Sequence, residues 1–103
     1  MLMSVDADAI KAVADPLRLR IVTLLARETL CTTHLMNETG ARQTNLSNHL
    51  RILREAGVVE TEPCGRFTYY RLRPEALESL SGALAELART ARSTCAHENR
   101  RPC

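Results

Sequence analysis

Residues 43–57 carry side chains whose types and spacing favour contact with nucleic acid. Leu46, Leu50 and Leu53 recur at helical spacing, which predicts one buried stripe along a helix that ends at Gly57. Amide, hydroxyl and guanidinium groups occupy the other face: Gln43, Thr44, Asn45, Ser47, Asn48 and Arg51. Such groups donate to and accept from base edges and phosphates in a major groove. The segment therefore predicts a DNA-reading helix, and the alternative at this point is an ordinary solvated amphipathic helix.

A basic β-hairpin is predicted to follow this helix. Residues 58–62 and 67–73 have the composition of strands, and residues 63–65 are turn-forming. We expect one tyrosine of the second strand to pack inward and the other to cover the hairpin. Arg66, beside the turn, could lie against phosphate or in a minor groove. Helix and hairpin together indicate a recognition helix with a wing.

Two helices are predicted upstream of the recognition helix. Asp15 can cap the first of them, and Pro16 suits its first helical position because the missing N–H costs nothing there. Its apolar face consists of Leu17, Ile21, Leu24 and Leu25. A short helix over residues 32–39 is closed by Gly40, and a tight turn over residues 40–42 then leads into the recognition helix. This order is a helix-turn-helix.

The last helix is predicted to form a homodimer interface. It begins at Pro74 and repeats apolar residues at alternating spacings of three and four: Leu77, Leu80, Leu84, Leu87 and Ala91. This spacing is typical of a coiled-coil-like interface. A DNA-binding dimer with two-fold symmetry would match a palindromic operator. The alternative is that the stripe only closes the core of its own protomer. We expect a first helix over about residues 5–14 to complete the interface.

The predicted fold class is mainly α with a β-hairpin wing, a winged helix-turn-helix that dimerises through its first and last helices. We expect residues 1–103 to form one domain, with a dimerisation helix at 74–94 and a flexible cysteine-containing tail at 95–103. The net charge is +2, and residues 42–73 hold six Arg and three Glu, a local net of +3 that suits DNA. No apolar run predicts a membrane span and no signal peptide is visible, so we expect a cytoplasmic protein.

Cysteines are the candidate regulatory groups. The chain has four, Cys31, Cys64, Cys95 and Cys103. In a reducing compartment they are expected to be thiols, although any one of them could simply be a small buried hydrophobic residue. Soft thiolates favour soft ions, and three of them satisfy As(III) or Sb(III). Zinc or cadmium is the alternative, because His34 and His97 lie close in sequence to Cys31 and Cys95.

Three motifs in this chain resemble the ArsR/SmtB family. They read ADPLRLRI at residues 14–21, NLSNHLRILREAGVV at 45–59 and GRFTYYRL at 65–72, and the resemblance spans roughly residues 5–90. The resemblance implies dimeric winged-helix repressors that leave DNA when a metal or metalloid binds. It further implies that Gln43, Thr44, Ser47 and His49 lie at or near the DNA. The family often has Ser at the position of Arg42, so the cap of the recognition helix is altered here.

The thiol pattern departs from that of arsenite-responsive members. Those members often carry LCVCDLC where this chain reads LCTTHLM at residues 30–36. Cys31 is kept, and Thr33 and Met36 replace the other two cysteines. Other members place thiols at the end of the last helix, which resembles Cys95 and Cys103 here.

The predicted metal ligands are Cys95, Cys103 and Cys31, with Cys64 as the substitute. The short segment between Cys95 and Cys103 can bring these two thiols together at small cost in loop closure. Cys31 lies at a helix N-terminus, where the dipole favours a thiolate. Cys64 lies at the turn of the wing, far from Cys31.

The predicted function is repression of a metal(loid) resistance operon. The partners are double-stranded operator DNA, bound through Gln43, Thr44, Asn45, Ser47, Asn48, His49, Arg51 and Arg66, and a second copy of the chain. No cofactor is required for DNA binding, and As(III) or Sb(III), or alternatively Zn or Cd, acts as the inducer. Rival hypotheses are a thiol redox switch on the same fold and a winged helix that binds DNA or protein without any inducer. The sequence disfavours the hypothesis of an enzyme that uses Cys31 as nucleophile and His34 as base, because no cofactor motif accompanies these residues.

Overall fold

The structure, a computed structural model, describes residues 6–94 and 100–102. Within these residues the chain forms five α-helices and three β-strands. In chain order they are α1 (Ala7–Ala14), α2 (Pro16–Leu25), β1 (Leu30–Cys31), α3 (Thr32–Thr39), α4 (Gln43–Glu55), β2 (Val59–Cys64), β3 (Phe67–Leu72) and α5 (Pro74–Ser93). The predicted winged helix-turn-helix is confirmed.

Side-chain caps define where α1 and α2 begin. Asp6 Oδ1 accepts from the N–H groups of the first turn of α1, so α1 begins at Ala7. Asp15 Oδ2 accepts from the N–H of Leu17 at 2.9 Å and from that of Arg18 at 3.1 Å. Pro16 occupies the first turn of α2, as predicted.

Two glycines end the helices of the helix-turn-helix. Gly40 terminates α3 with φ +75°, and Gly57 follows the end of α4 with φ +78°. Both lie in the left-handed region, where a residue without Cβ carries no steric penalty. Arg42 precedes α4, and its side chain makes no capping hydrogen bond. The altered cap expected from the sequence is thus present.

The wing belongs to a three-stranded antiparallel sheet in the order β1-β3-β2. The two-residue strand β1 was not predicted, and it pairs Leu30 with Tyr70 and Cys31 with Tyr69. Pro63 and Cys64 were predicted to lie in the turn, which is wrong, because they pair with Thr68 and Phe67 at the end of β2. A proline is tolerated there since β2 is an edge strand, where the missing N–H breaks no essential ladder bond.

One core unites the helices and the base of the wing. The α4 leucines Leu46, Leu50 and Leu53 are fully buried, together with residues from α2, α3 and β2. Tyr70 packs against this core, and the neighbouring Tyr69 lies edge-on to the ring of His34 at 6.1 Å between centroids. Tyr70 therefore packs inward, as expected for one of the two tyrosines, whereas Tyr69 contacts α3 through His34.

Helix α5 contributes little to this core. None of its residues is buried, and only Leu77 packs against the core cluster. Leu84 and Leu87 are 49% and 45% exposed. Within the described residues, the apolar stripe of α5 therefore does not serve mainly to close the core of its own protomer. No helix in this part of the chain is long and apolar enough to cross a membrane.

Candidate nucleic-acid interface

Helix α4 presents a continuous polar face to solvent. Because its leucines are drawn into the core, the residues between them point outward. Six predicted DNA contacts are all exposed on this helix: Gln43, Thr44, Asn45, Ser47, Asn48 and Arg51. The structure brings them together on one surface. Their donors and acceptors match those that read base edges in a major groove.

The Arg51 guanidinium is held along this face by its own helix. It donates to Asn48 Oδ1, and its Nη1 lies 3.6 Å from Glu55 Oε1. Exposed pairs of this kind contribute little stability, so a phosphate or a base can replace them at small cost.

His49 is separated from that surface. Its Nδ1 lies 2.9 Å from Arg18 Nη1 and 3.8 Å from Asp15 Oδ2, and its side chain is mostly covered. The sequence contained a signal for this placement, because His49 is three residues after Leu46 and therefore borders the buried stripe. The geometry favours a role in holding α4 against α2, and direct contact of His49 with DNA stays a prediction.

Arg18 makes this contact part of a larger connection. Its Nε donates to the carbonyl of Ala12 at 2.7 Å, and its Nη2 donates to that of Lys11 at 3.2 Å. One guanidinium therefore joins the last turn of α1 to the recognition helix. The pKa of Asp15, which caps α2 beside this group, lies below its ordinary value, chiefly because the carboxylate accepts from the Arg18 N–H.

An open cleft of about 770 Å³ lies between α4 and the base of the wing. Its lining residues are Arg42, Thr44, Asn45, Ser47, Asn48, Leu50, Arg51, Arg54 and Tyr70. Four of them were not among the predicted contacts: the core residue Leu50 and the three polar residues Arg42, Arg54 and Tyr70. Helical spacing could have identified Arg54, which is seven residues after Ser47 and so shares its face. Tyr70 reaches the cleft only through the pairing of β3 with its neighbours.

The positive charge of the wing is smaller than its sequence indicates. Arg71 contacts Glu60 at 2.8 Å and Glu62 at 3.5 Å, and the hydrogen bond with Glu60 is the main reason that the pKa of Arg71 is raised. Arg73 likewise pairs with Glu75 at 3.1 Å. Arginines of the 42–73 segment without an ion pair among the described residues are Arg42, Arg54 and Arg66. The free positive charge thus lies at the two ends of α4 and at the tip of the wing.

The thiols in the described part of the chain occupy different environments. Cys31 is 5% exposed, and its Sγ lies 3.4 Å from His34 Nδ1, which also accepts from the Cys31 N–H at 3.3 Å. Cys64 is exposed on the wing. The two cysteines lie on strands that flank β3 on opposite sides, so roughly two strand spacings, about 10 Å, separate them laterally.

The predicted three-thiol site extends outside the described residues. Cys95, Cys103 and His97 all fall there. Within residues 6–94 and 100–102, no group of three or more His, Cys, Asp or Glu side chains is placed to hold a metal ion. Among the predicted ligands that lie within the described residues, Cys31 and His34 are in direct contact.

Comparison with known proteins places this architecture among bacterial regulators. Residues 15–61 match the family described as bacterial regulatory protein, arsR family. Over 66 residues the chain is 42% identical to the arsenic resistance transcriptional regulator ArsR1 of Pseudomonas putida, and the match covers 63% of this chain and 52% of the relative. The chain thus spans about half the length of that regulator.

Solved structures agree with the sequence comparison over most of the chain. A crystal structure of a possible transcriptional regulator for arsenical resistance has a TM-score of 0.71 and 34% identity, covering 85% of this chain and 97% of the other. A homodimeric winged helix-turn-helix DNA-binding domain from Mycobacterium bovis, solved by NMR, has a TM-score of 0.64 and 29% identity, covering 93% and 86%.

Proposed function

Since this chain belongs to the ArsR family of DNA-binding transcriptional regulators, we propose that it is a homodimeric repressor of a metal(loid) resistance operon. The observation that carries the proposal is the exposed polar face of α4, which leaves six hydrogen-bonding side chains unburied beside a positively charged cleft. Members of this family are transcriptional regulators rather than enzymes, so the adjacent Cys31 and His34 are interpreted as a ligand pair and not as a nucleophile and base.

A dimer through α1 and α5 would give the repressor its two-fold symmetry. Leu84 and Leu87 leave an apolar stripe on α5, and α1 contacts α5 within the protomer. Two recognition helices related by a two-fold axis fit successive major grooves about 34 Å apart. We therefore expect a palindromic operator, contacted through α4 and through Arg66 at the tip of the wing. Because DNA is the proposed partner, we expect the protein to act in the cytoplasm.

The proposed inducer is arsenite or antimonite, bound by Cys31, Cys95 and Cys103. Support comes from the position of Cys31, which directly precedes α3 and also pairs with Tyr69 of the wing strand. An ion at this thiol would act on the junction of the helix-turn-helix and the wing. The described residues supply one thiol and one imidazole, so the remaining ligands of a three-coordinate site must come from elsewhere.

Release from DNA needs only a modest difference in ion affinity between two arrangements of the dimer. Each ~1.4 kcal/mol of coupling changes DNA affinity tenfold. Thiolate ligation also releases protons, so binding of the ion depends on pH. Zinc or cadmium bound with His34 and His97 is the second candidate, and the Cys31–His34 contact is the observation in its favour.

Fluorescence anisotropy on the upstream DNA of the encoding operon tests this proposal. The reduced protein is titrated with arsenite, and separately with zinc and cadmium, alongside Cys31→Ser, Cys95→Ser and Cys103→Ser variants. Cys64→Ser is the matched control, because Cys64 lies on the opposite side of β3 from Cys31 and is not in the proposed ligand set. We expect arsenite to release wild type and the control, and each of the other variants to stay bound.

Other outcomes separate the rival hypotheses. Release by zinc or cadmium alone would favour a ligand set containing His34 and His97. Release by an oxidant with no ion present would favour a thiol redox switch. Tight binding that no ion or oxidant alters would contradict the sensor and leave an uninduced DNA-binding protein.

A further inference from the structure

We propose that the cleft between α4 and the wing is a binding site for the DNA phosphate backbone, with Arg54 and Tyr70 as its ligands. The inference rests on the proposed DNA-binding function and adds two contact residues to it. These two contacts would position the protein on the duplex without reading its sequence, whereas the amide and hydroxyl side chains of α4 that line the same cleft would read the bases.

The path of the DNA strand follows from the placement of helix and wing. A recognition helix lies in a major groove, and a wing lies against the neighbouring minor groove. The two grooves are separated by one sugar-phosphate strand. That strand must therefore pass through the space between α4 and the wing, which is where the cleft of about 770 Å³ lies.

Arg54 is the positive charge at the wing end of this cleft. It lies in the last turn of α4, from which Gly57 leads directly into β2. Its side chain is exposed and makes no hydrogen bond or ion pair among the residues that the structure describes. By contrast, Arg71 is neutralised by Glu60 and Glu62. A guanidinium with all of its donors free is suited to bidentate contact with a phosphate.

Tyr70, on strand β3, supplies a fixed donor at the same cleft. Its ring packs against the hydrophobic core, and strand pairing on both sides of β3 holds its backbone at Leu30 and Thr61. Its hydroxyl makes no hydrogen bond to the described residues, although the residue lines the cleft. Because the ring is held in place, the phenol can donate to a phosphate with little loss of conformational freedom.

The sheet geometry explains why Tyr70 and not Tyr69 takes this role. Tyr69 shares its face with the acidic pair Glu60 and Glu62, since successive side chains of β3 alternate between faces. A phosphate approaching that face would meet two carboxylates against the single guanidinium of Arg71, a local net charge of −1. The face of Tyr70 and Thr61 carries no acidic side chain in the β2–β3 hairpin.

Salt-dependent binding tests the inference. The full-length wild-type protein and the variants Arg54→Gln and Tyr70→Phe are titrated onto the operator and onto a scrambled duplex of equal length, at several salt concentrations from 50 to 300 mM. Arg27→Gln is the matched control, because it removes the same charge from an exposed arginine that does not line the cleft. Asn48→Ala tests the contrasting, base-reading role.

The two cleft variants have distinct expected signatures. Each dimer contains two copies of Arg54, so Arg54→Gln lowers the slope of log affinity against log salt by about 1.8 and weakens both duplexes alike. Tyr70→Phe weakens both duplexes roughly a hundredfold without changing the slope, since it removes two hydrogen bonds to phosphate per dimer but no cation. Asn48→Ala reduces discrimination between the duplexes and leaves the slope unchanged. Urea midpoints equal to that of wild type confirm that the variants are folded.

The results that would refute the phosphate site in the cleft differ from those that would refute the DNA-binding function. Normal operator discrimination with an unaltered slope in Arg54→Gln would refute the phosphate site alone. If the wild type binds both duplexes equally well, operator recognition is refuted. The salt slope of Arg54→Gln would still show whether the cleft binds phosphate. Failure of the wild type to bind either duplex would refute both.

Discussion

Replacing Arg18 by Ala should destabilise the protein strongly, although the residue is not fully buried. Its guanidinium donates to two carbonyls at the end of α1, those of Ala12 and Lys11, and contacts His49 of the recognition helix at 2.9 Å. The variant removes all three interactions at once. It also leaves the Ala12 carbonyl and His49 Nδ1 without their partner in a partly buried position.

The expected loss follows from the strength of these bonds. A hydrogen bond from a charged donor contributes ~1.5–3 kcal/mol, and the more exposed bond to Lys11 contributes less. Because water can replace part of the lost bonding, we expect the free energy of unfolding to fall by about 2–4 kcal/mol. For a chain of this size, that corresponds to a decrease in Tm of roughly 10–20 °C.

Urea unfolding followed by circular dichroism at 222 nm measures this loss. All proteins are compared at one concentration, because dimerisation couples stability to concentration. Arg27→Ala is the matched control, since Arg27 is exposed and makes no side-chain hydrogen bond among the described residues. Arg18→Lys should fall between the two, because an ammonium cannot reproduce the planar fork of donors. Stability of Arg18→Ala within 0.5 kcal/mol of the control would refute the assigned role of Arg18.

Three further perturbations test the pH response, the dimer and the backbone. The pKa of Asp15 is lowered in the folded protein, so the ionised carboxylate stabilises the fold above about pH 4. This stabilisation is lost as the pH falls through the lower folded-state pKa. In urea unfolding between pH 5 and 3, the stability of Asp15→Asn should therefore depend less on pH than that of wild type. Leu84→Gln with Leu87→Gln should yield monomers in light scattering, whereas Leu19→Gln, also exposed, should remain dimeric. Gly57→Ala should lower the free energy of unfolding in urea by about 1–2 kcal/mol. The loss would come from backbone strain at φ +78°, because the added Cβ would make only one contact, with Arg73 Nη1 at 3.5 Å. An unchanged urea midpoint would contradict backbone strain as the cause.

Local signals explain why much of the fold was predictable from sequence. The spacing of Leu46, Leu50 and Leu53 identified both the buried and the exposed face of α4, because helical periodicity involves only neighbours along the chain. The Asp15 cap and the terminating glycines act within three or four residues and were confirmed on the same grounds. The strand β1 escaped detection because two residues contain too little periodicity.

The sequence by itself determined which side chains of α4 face outward, where the helices begin and end, and the family to which the chain belongs. The tertiary structure decided which charges remain free and which groups meet. His49 faces Arg18, 31 residues away, and Arg71 is neutralised through the register of β2 and β3. The cleft that brings Arg54 and Tyr70 to one site depends on the same packing. Caps and periodicity are local properties of a segment, whereas these contacts arise only when distant segments are packed together in one register.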